Sequence, residues 1–307
     1  MSTDWMTSLL EAAQEHGVRV AEPPTPPTEA YWTVSSGLRI HGLDWGREGN
    51  PPMICLHGGG QQAHTWDFFA LALRNTFHVR AIELRGHGDS DWAPDGDYRV
   101  SSIARDIHDI TVDQLKLPPF VLVGLSLGGF TSMTFAGTWP EALPGLVIID
   151  IAVDIEEEGT NNLMQFMAGP DQFDDLDALV DRVHAFNPRR PKHQLRSTLL
   201  HNLRQQPDGT WTWKYDKVFR GGLRDSDQLI NQQELIANVQ RITVPTLIVR
   251  GEQSDILTPA GAERLAALIP GPADIAVVPG AGHSVMGDNP PAFERIVEDW
   301  LKKTVLS

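Results

Sequence analysis

The chain has 307 residues, of which 41% are hydrophobic, and 40 Asp and Glu against 25 Lys and Arg leave a formal net charge of −15. That apolar content supplies a core and excludes a chain disordered throughout. The acidic balance argues against a nucleic-acid binder, because phosphate contacts need clustered Lys and Arg.

The single cysteine, Cys55, cannot form an intrachain disulfide. The N-terminus lacks the basic and long apolar stretches of a signal peptide. No apolar run approaches the ~20 residues of a membrane span. The expectation is a soluble, cytoplasmic protein with no membrane or nucleic-acid partner. Nothing in the sequence sets its oligomeric state.

Thr3–His16 reads as a short amphipathic helix stopped by Gly17, and Ala21–Ala30 as a Pro-rich linker, so residues 1–30 are set apart. Tyr31–Ser35 and Leu38–Trp45 follow as two strands joined at Ser36-Gly37. From Pro52 the pattern alternates. Strands are expected at Met53–Leu56, Val79–Leu84, Phe120–Val123 and Leu146–Ile151, with helices at Trp66–Arg74, Val100–Leu117 and Leu127–Trp139. Short, uniformly apolar strands signal a sheet covered on both faces, hence parallel.

The rhythm stops near Val153 and resumes with strand Thr246–Val249, helix Ala260–Leu268, strand Asp274–Val278 and helix Ala292–Lys302. This predicts an α/β core, residues 31–153 and 242–307, with a mostly parallel sheet of about eight strands. Residues 154–241 would be an inserted, mainly helical cap.

The strongest chemical signal is Gly124-Leu125-Ser126-Leu127-Gly128. A Gly-x-Ser-x-Gly pentapeptide alone is weak, but this one sits between an apolar strand and a helical stretch. There the glycines let a sharp turn form and lift the serine hydroxyl out at the carboxyl end of the sheet. The helix that follows aims its N-terminal N–H groups at a developing anion.

Serine needs a base. His41 in a strand and His108 in a helix read as structural, while His57 and His87 lie in glycine-flanked loops. His283 closes Pro279-Gly280-Ala281-Gly282-His283 directly after the last strand and is the expected base. Asp255, after the preceding strand, is expected to orient it, in the order Ser…Asp…His. Asp150, at the end of the strand after Ser126, is the competitor. The loop His57-Gly58-Gly59-Gly60 offers N–H groups that, with the Leu127 N–H, would make an oxyanion hole. No P-loop lysine follows it.

Together with Arg85-Gly86-His87-Gly88-Asp89-Ser90 and Gly251-Glu252-Gln253-Ser254-Asp255, these segments resemble the α/β-hydrolase fold family, in its order, from about Leu38 to the C-terminus. Glu83 stands where that family more often has Asp. The resemblance implies Ser126 as nucleophile, His283 as base, Asp255 as its acid, and Leu127 with Gly59 as oxyanion donors, Gly60 being the substitute. It implies no metal and no cofactor.

Serine rather than aspartate at the elbow argues against the dehalogenase and epoxide hydrolase branches. Hydrolysis of an ester or lactone of a small, largely apolar molecule is the leading expectation. The alternatives are carbon–carbon hydrolysis as in the meta-cleavage product hydrolases, cofactor-free perhydrolysis, and a small-molecule receptor. Gln61-Gln62-Ala63-His64 departs from the carbon–carbon branch.

In the cap, Met164, Phe166, Met167, Trp211 and Trp213 are candidate pocket residues, with Tyr215 continuing the alternation of the tryptophans. Arg189, Arg190, Lys192 and His193 read as a solvated basic face, unless an inward arginine meets a substrate carboxylate.

Overall fold

A computed structural model describes residues 3–154, 157–220 and 229–306; for 3, 4, 157–160 and 164 the description covers the backbone alone. Strands β1 (Thr28–Thr33), β2 (Arg39–Asp44), β3 (Pro52–Leu56), β4 (His78–Ile82), β5 (Val121–Leu125), β6 (Leu146–Ile149), β10 (Thr246–Gly251) and β11 (Ala273–Val278) form one sheet in the order β1-β2-β4-β3-β5-β6-β10-β11. The β1–β2 and β2–β4 pairs are antiparallel and the rest parallel. The eight-stranded, mostly parallel α/β architecture is the one expected.

Both faces of the central strands are buried, and residue parity divides them. Ile54, Leu56, Leu122 and Ile148 face one hydrophobic layer, while Met53, Cys55, Val121, Val123 and Val147 face the other. The first layer is closed by α3 (Val100–His108) and α4 (Leu127–Thr138), the second by α1 (Thr3–His16) and α2 (Asp67–Leu73). Such double coverage explains why these strands carry no polar alternation. Burial pushes the Cys55 thiol up, which suits a core residue. The helix expected over Val100–Leu117 ends at His108 and continues as a π-helical stretch from Asp109 to Gln114.

Between β6 and β10 the chain leaves the sheet. It forms α5 (Glu157–Met167), α6 (Leu176–Phe186) and α7 (Lys192–Asn202), followed after residue 228 by α8 (Gln232–Val239). A second, small antiparallel sheet, β7-β9-β8, joins Gln172–Phe173, Trp211–Trp213 and Leu203–Gln205. The alternating Trp211-Thr212-Trp213 therefore belongs to a strand in a region expected to be mainly helical. Asp175 starts α6 by accepting from the N–H groups of Asp177 (2.8 Å) and Ala178 (3.3 Å). The C-terminal part adds α9 (Pro259–Leu268), α10 (Val285–Asp288) and α11 (Pro290–Thr304). No helix among the described residues is long and apolar enough to cross a membrane.

Candidate active site

Ser126 joins β5 to α4 with φ 51° and ψ −112°, a strained conformation for a residue with a Cβ. Close packing demands the glycines around it. A Cβ on Gly124 would collide with the Gly128 carbonyl and Ser132 Oγ, and one on Gly128 with the Leu56 carbonyl. The Ser126 N–H is tied to the Ile149 carbonyl (3.1 Å) and the Gly128 N–H to the His57 carbonyl (3.1 Å). Neighbouring strands thus hold the turn from both sides, and Ser126 alone of the five residues is not buried.

His283 follows β11, and its Nδ1 lies 2.8 Å from Asp150 Oδ2. The expectation that Asp255 would orient the histidine is not met. Asp255 is exposed, and among the described residues it makes no hydrogen bond to His283. Asp150 ends β6 with φ 52°, which terminates that strand two residues earlier than expected and turns the carboxylate toward β10. There it is fully buried and held by two further donors: Gly251 N–H donates to Oδ1 at 2.9 Å, and the Ser254 hydroxyl donates to Oδ2.

Ser254 also receives the N–H groups of Ile256 (3.1 Å) and Leu257 (3.2 Å), which turns the loop so that Asp255 lies outside the pair. Chain order could not separate the two acids, since Ser…Asp…His holds for both. Strand adjacency separates them, because β6 lies directly between β5 and β10.

Ser126 and His283 line one cavity of about 900 Å³, together with Gly58, Gly59 and Gly60. Among the described residues neither the Ser126 hydroxyl nor His283 Nε2 has another protein partner, so both remain available to a reactant. Such contacts commonly tighten only when a reactant binds. Gly58 backs directly onto the serine, since a Cβ there would sit 3.3 Å from Ser126 Cβ. The Gly58 N–H is already donated to Gln61 Oε1 (3.0 Å), which leaves Gly59, its substitute Gly60 and Leu127 as the nearby free N–H groups among the described residues.

His57 is excluded as a base. It is fully buried, its Nε2 accepts the Leu84 N–H (3.0 Å), and its Nδ1 therefore donates to the Gly58 carbonyl (2.8 Å). Burial pulls its pKa down to about 4. His87, also sealed, is pulled down to about 3 by burial.

Of the pocket candidates, Phe166, Met167 and Trp213 line the cavity, as does Tyr215. Trp211 does not; it packs against the core layer. The side chain of Met164 lies outside the described residues. The basic cluster divides. Lys192 pairs with Asp181 (2.7 Å) and His193 with Glu15 (3.0 Å), whereas Arg189 and Arg190 line the cavity with Arg182 of α6. Arg182 was not foreseen, and nothing in its helical periodicity distinguishes it from a surface residue.

The profile of the alpha/beta hydrolase fold matches residues 51–290. The chain belongs to the α/β-hydrolase family. An esterase of Mycobacterium tuberculosis, Rv0045c, is 31% identical over 97% of this chain and 96% of its own length. A structure of that esterase superposes with a TM-score of 0.78 at 26% identity, covering 98% of this chain and all of the other. The 2-(acetamidomethylene)succinate hydrolase of Mesorhizobium japonicum is 30% identical over 82% of this chain and 88% of its own length.

Proposed function

We propose that this α/β-hydrolase cleaves a carboxylic ester of a small molecule through an acyl-enzyme. The observation that carries the reading is the His283 Nδ1 to Asp150 Oδ2 bond of 2.8 Å, beside a strained Ser126 that opens onto the same cavity. Asp150 holds the proton on Nδ1, which leaves Nε2 basic and stabilises the imidazolium that forms. His283 takes the Ser126 proton as Oγ attacks the carbonyl. The resulting oxyanion meets the N–H groups of Leu127 and Gly59.

His283 next passes its proton to the leaving alkoxide. A water, deprotonated by the same imidazole, then releases the acid. An alkoxide needs less help to leave than an amine, which favours esters. The esterase activity of a relative that matches over nearly the whole chain supports the same chemistry. In this reading residues 154–241 are the cap that walls the substrate pocket.

Labelling with a fluorophosphonate, followed by peptide mass mapping, tests it. A single adduct on Ser126, lost in Ser126→Ala together with 4-nitrophenyl ester turnover, is expected. Absence of both adduct and turnover in the wild-type protein would place the chain among the non-catalytic binding proteins of this fold.

A further inference from the structure

The cavity in front of Ser126 is unusual in its charge. Arg182, Arg189 and Arg190 all line it, and among the described residues none has a carboxylate within 4 Å. Several arginines elsewhere close on acids, as Arg80 does on Asp44 (2.8 Å) and Arg85 on Asp106 (2.6 Å), while buried Arg74 and Arg250 are held by backbone carbonyls; three acid-free guanidinium groups on one cavity are what sets this site apart.

Two of the three pack against the loop that carries His283. A Cβ on Gly282 would lie 2.8 Å from the Arg189 guanidinium, and one on Gly287 3.5 Å from Arg190 Nη1. Arg189 and Arg190 thus pack on residues just before and just after His283 in the chain.

Their own hydrogen bonds are incomplete. Arg190 Nε and Arg182 Nη1 are buried atoms with no acceptor among the described residues. Arg189 is held by neutral groups alone, Gln253 Oε1 at 3.1 Å and Asn187 Oδ1 at 3.4 Å, and Arg182 by the Phe166 carbonyl at 2.6 Å. The acid nearest in effect to Arg190, Asp288, is already engaged by Asn187 Nδ2 and the Gly282 N–H, both at 2.9 Å. Asp255 also lines the cavity, but it is exposed. A buried donor left without an acceptor is costly, and a guanidinium is shaped to receive a carboxylate through paired N–H groups.

We infer that the substrate carries a carboxylate besides its scissile ester, and that Arg190, with Arg182 and Arg189, receives it and sets specificity. The inference rests on the ester-hydrolase reading above and adds a substrate class to it. A net charge of −15 would repel such a substrate at long range, so a preference for it must come from these local groups.

The test compares kcat/KM for two matched pairs. Mono-4-nitrophenyl glutarate against 4-nitrophenyl valerate places the charge on the acyl side. 4-Acetoxybenzoate against phenyl acetate places it on the leaving group. The wild-type enzyme should favour the charged member of at least one pair, and Arg190→Met should reduce that charged-to-neutral ratio by roughly 10- to 100-fold. Arg190→Lys should restore part of it. If Arg190→Met does not fold, Arg182→Gln and Arg189→Gln serve in the same comparison.

Preference for the neutral ester in both pairs, or a ratio that none of the variants moves, overturns the inference while ester hydrolysis stands. Turnover that survives in Ser126→Ala would instead overturn the underlying reading.

Discussion

His283 and His41 each place Nδ1 2.8 Å from a buried carboxylate oxygen, Asp150 Oδ2 in one case and Glu83 Oε2 in the other. Bond length does not distinguish them. The far nitrogen does. His41 Nε2 is buried with no partner among the described residues, its side chain 5% exposed, whereas the His283 side chain is 19% exposed and lines the cavity with Ser126.

Glu83 spends its other capacity on the fold. It accepts the Asp89 N–H (2.5 Å) and the Ala63 N–H (3.3 Å), pinning the loop after β4 to the segment after β3. A carboxylate–histidine pair becomes catalytic machinery when its outer nitrogen can reach a reactant. Sealed, the same pair is a structural fastening.

The largest effect that could break this contrast is at the proposed nucleophile and base. Ser126→Ala and His283→Ala should each lower kcat by on the order of 10⁵- to 10⁶-fold with the melting temperature nearly unchanged. Steady-state kinetics and calorimetry on the same preparations check both halves.

Next comes the choice of acid. Asp150→Asn should cost about 10⁴-fold in kcat by favouring the wrong tautomer, and Asp255→Asn no more than about threefold. The opposite ranking would break the contrast.

The sealed pair should respond in stability. Glu83→Gln should lose about 2 kcal/mol by urea unfolding near neutral pH while kcat stays within a few-fold. Burial alone would raise the Glu83 carboxyl, but the His41 hydrogen bond and the backbone donors outweigh it and hold it down to about 2, against an ordinary 4.5. A depressed folded pKa means that its stabilisation is complete above about 4.5 and is lost as pH falls toward about 2. Wild type and variant should therefore converge over that window, and parallel stability curves would contradict the assignment.

A third buried carboxyl sharpens the contrast with the smallest effect. Among the described residues Glu294 in α11 has no histidine partner and its Oε1 lacks any, and burial pushes its pKa up to about 8. Here the sign reverses. Stability is complete below about 4.5 and declines as pH rises through 8. Glu294→Gln should raise the melting temperature by roughly 2–4 °C at pH 9 and leave it unchanged at pH 4.

Much of the site was legible before folding because its signals are local. The elbow is a five-residue steric problem, and Gly282-His283 directly follows a strand of recognisable composition. The acid was not legible. Asp150 and Asp255 both follow apolar strands, both come after Ser126 in the chain, and both precede His283. Nothing within a few residues of either records that Asp150 takes a left-handed backbone conformation, or that the Ser254 hydroxyl binds it and turns Asp255 away. The cavity arginines are harder still. Lys192 and His193, in the same basic run as Arg189 and Arg190, found acidic partners on the surface, and only the packing of α6 and α7 over the sheet separates the two outcomes.

Sequence by itself determined the doubly covered parallel sheet, the interruption after β6, the strained serine and the histidine after β11. Each follows from short-range sterics or from the uniformly apolar composition of strands covered on both faces. Tertiary structure alone decided which carboxylate meets that histidine, which aromatic residues wall the cavity and which cations are left there without an acid. Those are contacts between segments far apart in the chain, such as Asp150 with His283, and their geometry depends on strand order and helix placement rather than on local composition.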